Sequence, residues 1–277
     1  MTQSPDPLLQ LPPDCLHGAL RLISYMLGEA RSATDADDVL TRMAGLIRAG
    51  GVPLDRATSI VPLLHGALER SQTDEVVDLC AGGSGPWLRL EQEYRDATGA
   101  PLSVTLTDRY PNLEAMRFAR QHSDDRLAFH PEPVDAMDVP PSLGGLRTLF
   151  NAFHHFRPDQ ARALLQDAAD KGRGVAIFDG TDKRLLGVLM VMFAPLGVLF
   201  LTPLIRPFKL SRLFFTYLLP LIPFVVWFDG IVSVLRTYSV PELEALVAGV
   251  QGDHQWQAGA LPIGGGVNIT YLIGTPR

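Results

Sequence analysis

The sequence predicts an α/β fold in which helices cover both faces of a mostly parallel sheet. Three features predict it: a strand-like run that ends in a glycine-rich turn, an alternation of strand-like and helical patterns after it, and a β-branched, aromatic run near the C-terminus. Strands that alternate with helices of about twelve residues form parallel βαβ units. Ligands of such sheets bind beyond the carboxyl ends of the strands, so we expect the functional residues there.

The composition argues against several classes of protein. The chain has 277 residues and a net charge of −6, whereas a nucleic-acid groove needs a basic face, so no nucleic-acid partner is expected. The two cysteines, Cys15 and Cys80, are too few for a disulfide framework or a zinc site, and no metal is expected. Residues 1–14 have neither the basic nor the apolar region of a signal peptide. We therefore expect a cytoplasmic protein.

The chain divides into a helical N-terminal part, residues 1–73, and an α/β core, residues 74–277. Residues 1–13 are rich in proline, and three amphipathic helices are predicted at Asp14–Ala30, Asp35–Arg48 and Asp55–Arg70, because apolar residues recur there at intervals of three and four. These helices could pack against the core, cap a ligand cleft, or do both.

The stretch Glu75–Trp87, EVVDLCAGGSGPW, has the parts of a cofactor cradle. Glycine permits positive φ and lets a ligand approach the backbone, and the following helix directs unpaired N–H groups at the turn. A dinucleotide site would have a third glycine where this chain has Leu88. Asp78, inside the strand, suits a ligand with a cationic amino-acid group better than a phosphate. A turn with a purely structural role is the alternative.

Further strands and helices are predicted in regular alternation. The expected strands after Glu75–Leu79 are Pro101–Thr107, Leu127–His130, Gly145–Phe150, Gly174–Asp179, Asp253–Ala258 and Val267–Gly274. The expected helices are Trp87–Thr98, Pro111–His122, Asp159–Ala169 and Val240–Val250. Seven strands are thus predicted, the last two as a hairpin.

Acidic residues follow the second and third predicted strands. Asp108 could accept hydrogen bonds from both hydroxyls of a ribose, and bonds to a carboxylate are strong ones; a solvated turn aspartate is the alternative. Asp135 and Asp138 follow the third strand. Two acids three residues apart are as typical of a turn as of a binding site.

The segment Asn151–Phe156, NAFHHF, follows the fourth predicted strand and contains adjacent histidines, His154 and His155. A neutral imidazole can take a proton from a hydroxyl group near neutral pH. Phe153 and Phe156 could form apolar walls around a bound cation. One or both histidines could instead serve only packing or helix capping.

A long apolar insertion occupies residues 185–228. Its only charged residues are Arg206, Lys209 and Arg212, which separate uncharged runs of 21 and 16 residues. Five prolines, at positions 195, 203, 207, 220 and 223, are expected to break these runs, so we predict a helical hairpin and no full membrane span. The hairpin could dip into a membrane face, cover an apolar pocket, or form a homodimer interface. Trp227, Asp229, Arg236 and Tyr238 near its end could face a substrate.

Taken together, the motifs DLCAGGSG and NAFHHF and the strand-end acid Asp108 resemble class I S-adenosylmethionine-dependent methyltransferases, over residues 74–277. The resemblance implies a Rossmann-like, seven-stranded methyltransferase sheet with a final antiparallel hairpin, and S-adenosyl-L-methionine as cofactor. It implies that the amino-acid end of the cofactor lies at Asp78 and the glycine turn, and that the adenine amino group faces Asp135. The implied cofactor-binding residues are Asp78, Ala81, Gly82, Gly83, Ser84, Gly85, Trp87, Asp108, Arg109, Asp135, Ala136, Met137, Asn151, Ala152 and Phe153; the catalytic candidates are His154 and His155.

The function expected from this resemblance is methyl transfer to an oxygen or nitrogen of a lipophilic small molecule, with or without contact of residues 185–228 with the inner membrane face. Two alternatives remain open: carbon or nitrogen methylation of a membrane lipid or quinone precursor, and a non-catalytic anchor on the same fold.

Overall fold

The computed structural model describes residues 56–180, 183, 185–204, 208, 210–262 and 268–277. The helices predicted at Asp14–Ala30 and Asp35–Arg48 lie outside the described residues, as do Arg206 and Lys209. The third predicted N-terminal helix is present as α1, Arg56–Arg70.

One seven-stranded sheet forms the centre of the described chain, in the order β3-β2-β1-β4-β5-β7-β6. The first five strands are parallel, and β7 runs antiparallel to both β5 and β6. The strand bounds are β1 Glu75–Asp78, β2 Ser103–Leu106, β3 Leu127–Phe129, β4 Leu146–Phe150, β5 Val175–Asp179, β6 His254–Pro262 and β7 Asn268–Pro276. Dinucleotide-binding sheets have the strand order 3-2-1-4-5-6. The sheet of this chain differs from them in that β7 lies between β5 and β6. The predicted sheet with its antiparallel hairpin is confirmed.

Helices α2 Trp87–Thr98, α3 Leu113–His122, α4 Pro158–Asp170 and α8 Val240–Val247 connect the strands, and their bounds follow local signals. Gly99 ends α2 in a left-handed conformation with φ 69°. The side chain of Asn112 caps α3 by accepting a hydrogen bond from the Ala115 N–H at 3.2 Å. The largest error in a predicted bound is at β6, which ends at Pro262 rather than Ala258 because it pairs with β7 over its whole length.

The core consists of two apolar clusters, one on each face of the sheet. Leu64 of α1, Trp87 of α2 and Met116 of α3 are fully buried in the first cluster. Leu164 of α4 and Leu246 of α8 belong to the second. Since Leu64 is fully buried, α1 packs against the core. Packing against the core was one of the two roles predicted for the N-terminal helices. The sheet is therefore covered on both faces, as the sequence predicted.

The apolar insertion is helical, with α5 Leu185–Leu201, a short α6 Leu210–Leu213 and α7 Leu221–Arg236. A π-helical turn, Phe214–Leu218, leads from α6 to α7. Helices α5 and α7 pack against one another. At their contact, a Cβ atom added to Gly230 would lie only 2.8 Å from the Val191 side chain.

The expectation that proline breaks the apolar runs is correct at some positions and wrong at Pro195 and at Pro223, which lies in the first turn of α7. Pro220 lies at the N-cap of α7 and Pro203 in a 3₁₀ turn after α5, so both stand at helix boundaries. Pro195 lies inside α5, which continues to Leu201. Interior proline removes a backbone hydrogen bond, and the packing of α5 on α7 offsets that cost.

Within the described residues, no single helix has both the length and the apolar composition needed to cross a membrane. The consecutive segments Leu210–Leu218 and Leu221–Arg236, bent by 72° where they meet, satisfy both requirements only when they are taken together.

Candidate active site

The glycine turn after β1 is held in a left-handed conformation at several residues. Gly82 and Gly85 have φ values of 62° and 52°, and Cys80 also has positive φ. A Cβ atom added to Gly82 would meet nothing within 4 Å, so the turn has open space on its outer side. The Ser84 hydroxyl and the Trp87 indole nitrogen are buried without a hydrogen-bond partner among the described residues. These features fit a site that receives a polar ligand.

Asp78, at the end of β1, is a buried carboxyl beneath this turn and is only 1% exposed. Burial raises its pKa from 3.8 to about 7, although the hydrogen bond that Thr148 donates to Oδ1 at 2.7 Å acts in the opposite direction. The indole N–H of Trp87 also lowers this pKa, without reaching hydrogen-bonding geometry. A Cβ atom on Gly85 would lie 3.7 Å from Asp78 Oδ2, so the second carboxyl oxygen faces the turn.

Asp108, which follows β2, forms a hydrogen bond that joins the end of β2 to the glycine turn after β1. Its Oδ2 accepts a hydrogen bond from the Gly82 N–H, and its Oδ1 accepts one from the Tyr110 N–H, both at 2.8 Å. Each carboxylate oxygen keeps acceptor capacity for a ligand hydroxyl. The sequence indicated the place of Asp108 but not its bond to the turn.

The two acids after β3 have different surroundings. Asp135 Oδ1 accepts a hydrogen bond from the Met137 N–H at 2.9 Å, and Oδ2 lies 3.9 Å from Arg109 Nη1. Asp138 instead pairs with Lys171 at 3.0 Å. Only Asp135 therefore lies with Arg109 near the strand-end site, as the sequence analysis assumed.

Several of the predicted cofactor-binding residues have little exposed side chain. Ala136, Ala152 and Phe153 are buried, and Phe153 is a core residue that packs on Tyr238 with ring centroids 5.3 Å apart. Phe153 is thus not an open wall of the site, whereas Phe156 is half-buried. Trp87 is also fully buried, with its ring edge against Phe150.

Asn151 joins the ends of β4 and β5. It has φ 50°, its N–H donates to the Phe178 carbonyl at 2.9 Å, and its side-chain oxygen accepts from the Gly180 N–H. Asparagine tolerates this left-handed conformation better than most residues. The tie brings the turn after β4 beside Asp179, the last residue of β5.

The two histidines differ in what holds them. His154 is buried, its Nδ1 lies 2.7 Å from Asp179 Oδ1, and its backbone N–H donates to Asp179 Oδ2 at 3.0 Å. A carboxylate at Nδ1 favours the tautomer in which Nδ1 carries the proton and Nε2 has a free lone pair. His155 is half-buried and contacts the His154 ring with centroids 4.3 Å apart. His154 therefore has the geometry of an oriented base.

Asp179 is the functional candidate that the sequence analysis missed. It was identified only as the last residue of a strand, although an acid at a parallel strand end beside a histidine pair was a usable signal. Cys80, by contrast, is not a nucleophile, because burial raises the pKa of its thiol and the nearby carboxyls of Asp108, Asp78 and Asp135 act in the same direction. Among the described residues, no group of three or more potential ligands could hold a metal ion.

The candidate residues share one edge of the sheet. Asp78, Asn151 and Asp179 are at or directly beyond the carboxyl ends of β1, β4 and β5. Asp108 and Asp135 follow β2 and β3, so all five parallel strands contribute to the same edge.

Comparison with known proteins found similar solved structures only. No protein-family model and no curated protein matches the chain. The O-methyltransferase NcsB1 of neocarzinostatin biosynthesis, solved with S-adenosylmethionine and 2-hydroxy-5-methyl naphthoic acid, is 18% identical, with TM-score 0.48, over 90% of this chain and 59% of its own. An O-methyltransferase family protein from Burkholderia thailandensis is 17% identical, with TM-score 0.48, over 90% and 60%. The apo S-adenosylmethionine-dependent methyltransferase SibL is 18% identical, with TM-score 0.46, over 78% and 55%.

The chain thus spans somewhat more than half the length of these three proteins. Its fold is assigned from the sheet itself. The strand order with an antiparallel β7, together with a glycine turn after β1, gives this chain the class I methyltransferase fold that the sequence indicated.

Proposed function

We propose that the protein is an S-adenosyl-L-methionine-dependent methyltransferase that acts on an oxygen or nitrogen of a lipophilic small molecule. The observation that carries the proposal is the convergence of Asp78, Asp108 and the His154–Asp179 pair on one edge of this sheet. Along the edge, in the order β2, β1 and then β4 with β5, these groups offer partners for a ribose, a cationic amino acid and an acceptor proton.

The cofactor would be held chiefly by the ends of β1 and β2. Asp78 and the glycine turn, residues 81–85, would receive its amino-acid end, where an ammonium group offsets the cost of ionising a buried carboxyl. Asp108 would accept hydrogen bonds from the ribose. Asp135 and Arg109 would lie at the adenine, with Met137 as the partly exposed apolar contact.

The chemistry assigned to this chain is proton removal from the acceptor. Bound at the turn, S-adenosyl-L-methionine would supply an electrophilic methyl group, with the sulfur of its sulfonium leaving as the thioether of S-adenosylhomocysteine. His154 Nε2 would take the proton of an acceptor hydroxyl or amine as that atom forms its new bond to carbon. Asp179 would act as a positioning residue that holds the ring in the correct tautomer.

The lipophilic character of the acceptor is inferred from the insertion. Helix α7 leads directly to the turn that carries the histidines: Arg236 Nη2 donates to the His155 carbonyl at 2.9 Å, and the Tyr238 hydroxyl donates to the Phe156 carbonyl at 2.8 Å. An apolar molecule gathered by α5 and α7 would therefore be close to His154. We propose a cytoplasmic location, with or without contact of the insertion with the inner face of the membrane.

Calorimetry with S-adenosyl-L-methionine and the full chain tests the cofactor assignment. Saturable binding at micromolar to millimolar ligand is expected, and absence of binding heat at millimolar ligand would favour a non-catalytic anchor. Incubation with a methyl-labelled donor and a cell extract then tests the acceptor. Label in the apolar, small-molecule fraction is expected, and analysis of the methylated atom separates oxygen or nitrogen transfer from carbon transfer to a membrane lipid or quinone precursor.

A further inference from the structure

The insertion carries an unusual amount of exposed apolar surface. Eighteen large hydrophobic side chains are exposed among the described residues, and sixteen of them lie between Val188 and Leu235. Phe193 and Phe200 of α5 are 61% and 77% exposed. Contiguous apolar patches of this kind mark sites of interaction.

The exposed surface extends around more than half of α5. At 3.6 residues per turn, the exposed positions from Val188 to Phe200 cover an arc of about 200°, and Val191, which contacts Gly230, lies on the opposite side. A helix that is apolar on nearly all sides belongs in a protein core or in a membrane. Helix α5 is outside the core, and so wide an arc exceeds the face that one rigid partner covers.

The charge of the segment matches an anionic surface. The sequence from residue 185 to residue 228 contains no Asp or Glu, and its three charges are cationic, although the whole chain has a net charge of −6. Arg212 is buried at 4% exposure and does not count toward a surface charge, whereas Arg206 and Lys209 lie in the sequence between α5 and α6. Cationic residues next to an apolar segment are attracted to anionic headgroups. The consecutive segments Leu210–Leu218 and Leu221–Arg236 together have the length and apolar composition of a membrane segment, with a bend of 72° between them.

We propose that α5 and α7 seat in the surface layer of an anionic lipid bilayer and receive the acceptor from it. Only the delivery of the acceptor rests on the proposed function. The lipid contact is argued independently, from the exposed apolar surface of the insertion. The hydrogen bond from Arg236 to the His155 carbonyl joins the seated helices to the turn that carries His154.

Flotation of the full chain with vesicles tests the proposal. The probes are vesicles of phosphatidylcholine and vesicles of phosphatidylcholine with about one third phosphatidylglycerol. We expect the protein to float with the anionic vesicles, and the double substitution Phe193→Gln, Phe200→Gln to reduce the floated fraction at least tenfold. The matched control is Phe118→Gln, an exposed aromatic residue of α3, which should float like the parent chain.

Three results would overturn the lipid contact: a parent chain that floats with neither vesicle, a double variant that floats like the parent, or a dimer in sedimentation that the double substitution dissociates without any flotation. Calorimetry with S-adenosyl-L-methionine on the same samples keeps the two proposals separate. Cofactor binding without flotation refutes only the lipid contact, and flotation without cofactor binding refutes only the methyltransferase.

Discussion

The buried Asp78 is the residue where stability and function oppose one another most directly. Its carboxyl has a pKa of about 7 in the folded chain against 3.8 ordinarily, because it is removed from water and, among the described residues, only Thr148 gives it a full hydrogen bond. A ligand ammonium group would supply the missing partner, so the residue is better explained by binding than by stability.

The pH dependence of stability tests this view of Asp78. Between about pH 4 and pH 7 the folded chain keeps a proton that the unfolded chain has released, so the Asp78 contribution to stability falls as pH rises and levels off above about 7. The difference in unfolding free energy between Asp78→Asn and the parent should therefore rise over this range, by up to about 1.4 kcal/mol per pH unit. Denaturant unfolding at several pH values without cofactor measures it, and a difference independent of pH would contradict the assignment.

Asp108 should contribute directly to cofactor affinity. The substitution Asp108→Ala removes a charged acceptor of ribose hydroxyls and also the bond to the Gly82 N–H, and we expect binding to weaken by about 1–3 kcal/mol. Calorimetry measures the loss, with Asp138→Ala as the control, because Asp138 pairs with Lys171 instead. Unchanged affinity would move the ribose contact elsewhere.

The two histidines should separate in activity. His154→Gln removes the oriented base, and kcat should fall by about 10²–10⁴-fold with cofactor affinity nearly unchanged. His155→Gln keeps the backbone carbonyl that Arg236 binds and should cost less than the His154 variant. Asp179→Asn should lower kcat without changing cofactor affinity, as a positioning residue would. Equal effects of the two histidine substitutions would refute the distinction.

At the scale of the helices and strands, the sequence predicted well what short-range patterns determine. Helix α2 was predicted with the bounds that it has, Trp87–Thr98, since capping and periodicity are local. The bonds that make the site were not predictable in this way. The Asp179 carboxylate reaches His154 across 25 residues, and Arg236 reaches His155 across 81, because strand order and helix packing bring them together.

The contact of α7 with the histidine turn should matter for turnover rather than for cofactor binding. Arg236→Leu removes the donor to the His155 carbonyl, and we expect kcat to fall several-fold while the Kd of the cofactor stays constant. Arg236→Lys keeps a donor and should restore part of the rate. Steady-state kinetics with calorimetry on the same samples decides it, and a loss of cofactor affinity in place of rate would show that α7 supports the fold and not the turn.

At the scale of the whole molecule, the chain combines a mostly parallel sheet with an apolar insertion that lies outside its core. The sheet gathers five strand ends at one edge. The insertion enters after β5 and returns by α7 to the histidine turn at that same edge. One face of the protein therefore carries both the proposed cofactor site and the surface that we propose meets lipid.

The central claim is that the glycine turn receives a sulfonium nucleoside, and a crystal structure of the full chain with S-adenosylhomocysteine tests it most directly. The expected result is the amino-acid end of the ligand over residues 82–85 beside Asp78, with the ribose hydroxyls on Asp108. A folded chain with no ligand at the turn, or with the nucleoside bound elsewhere, would contradict it.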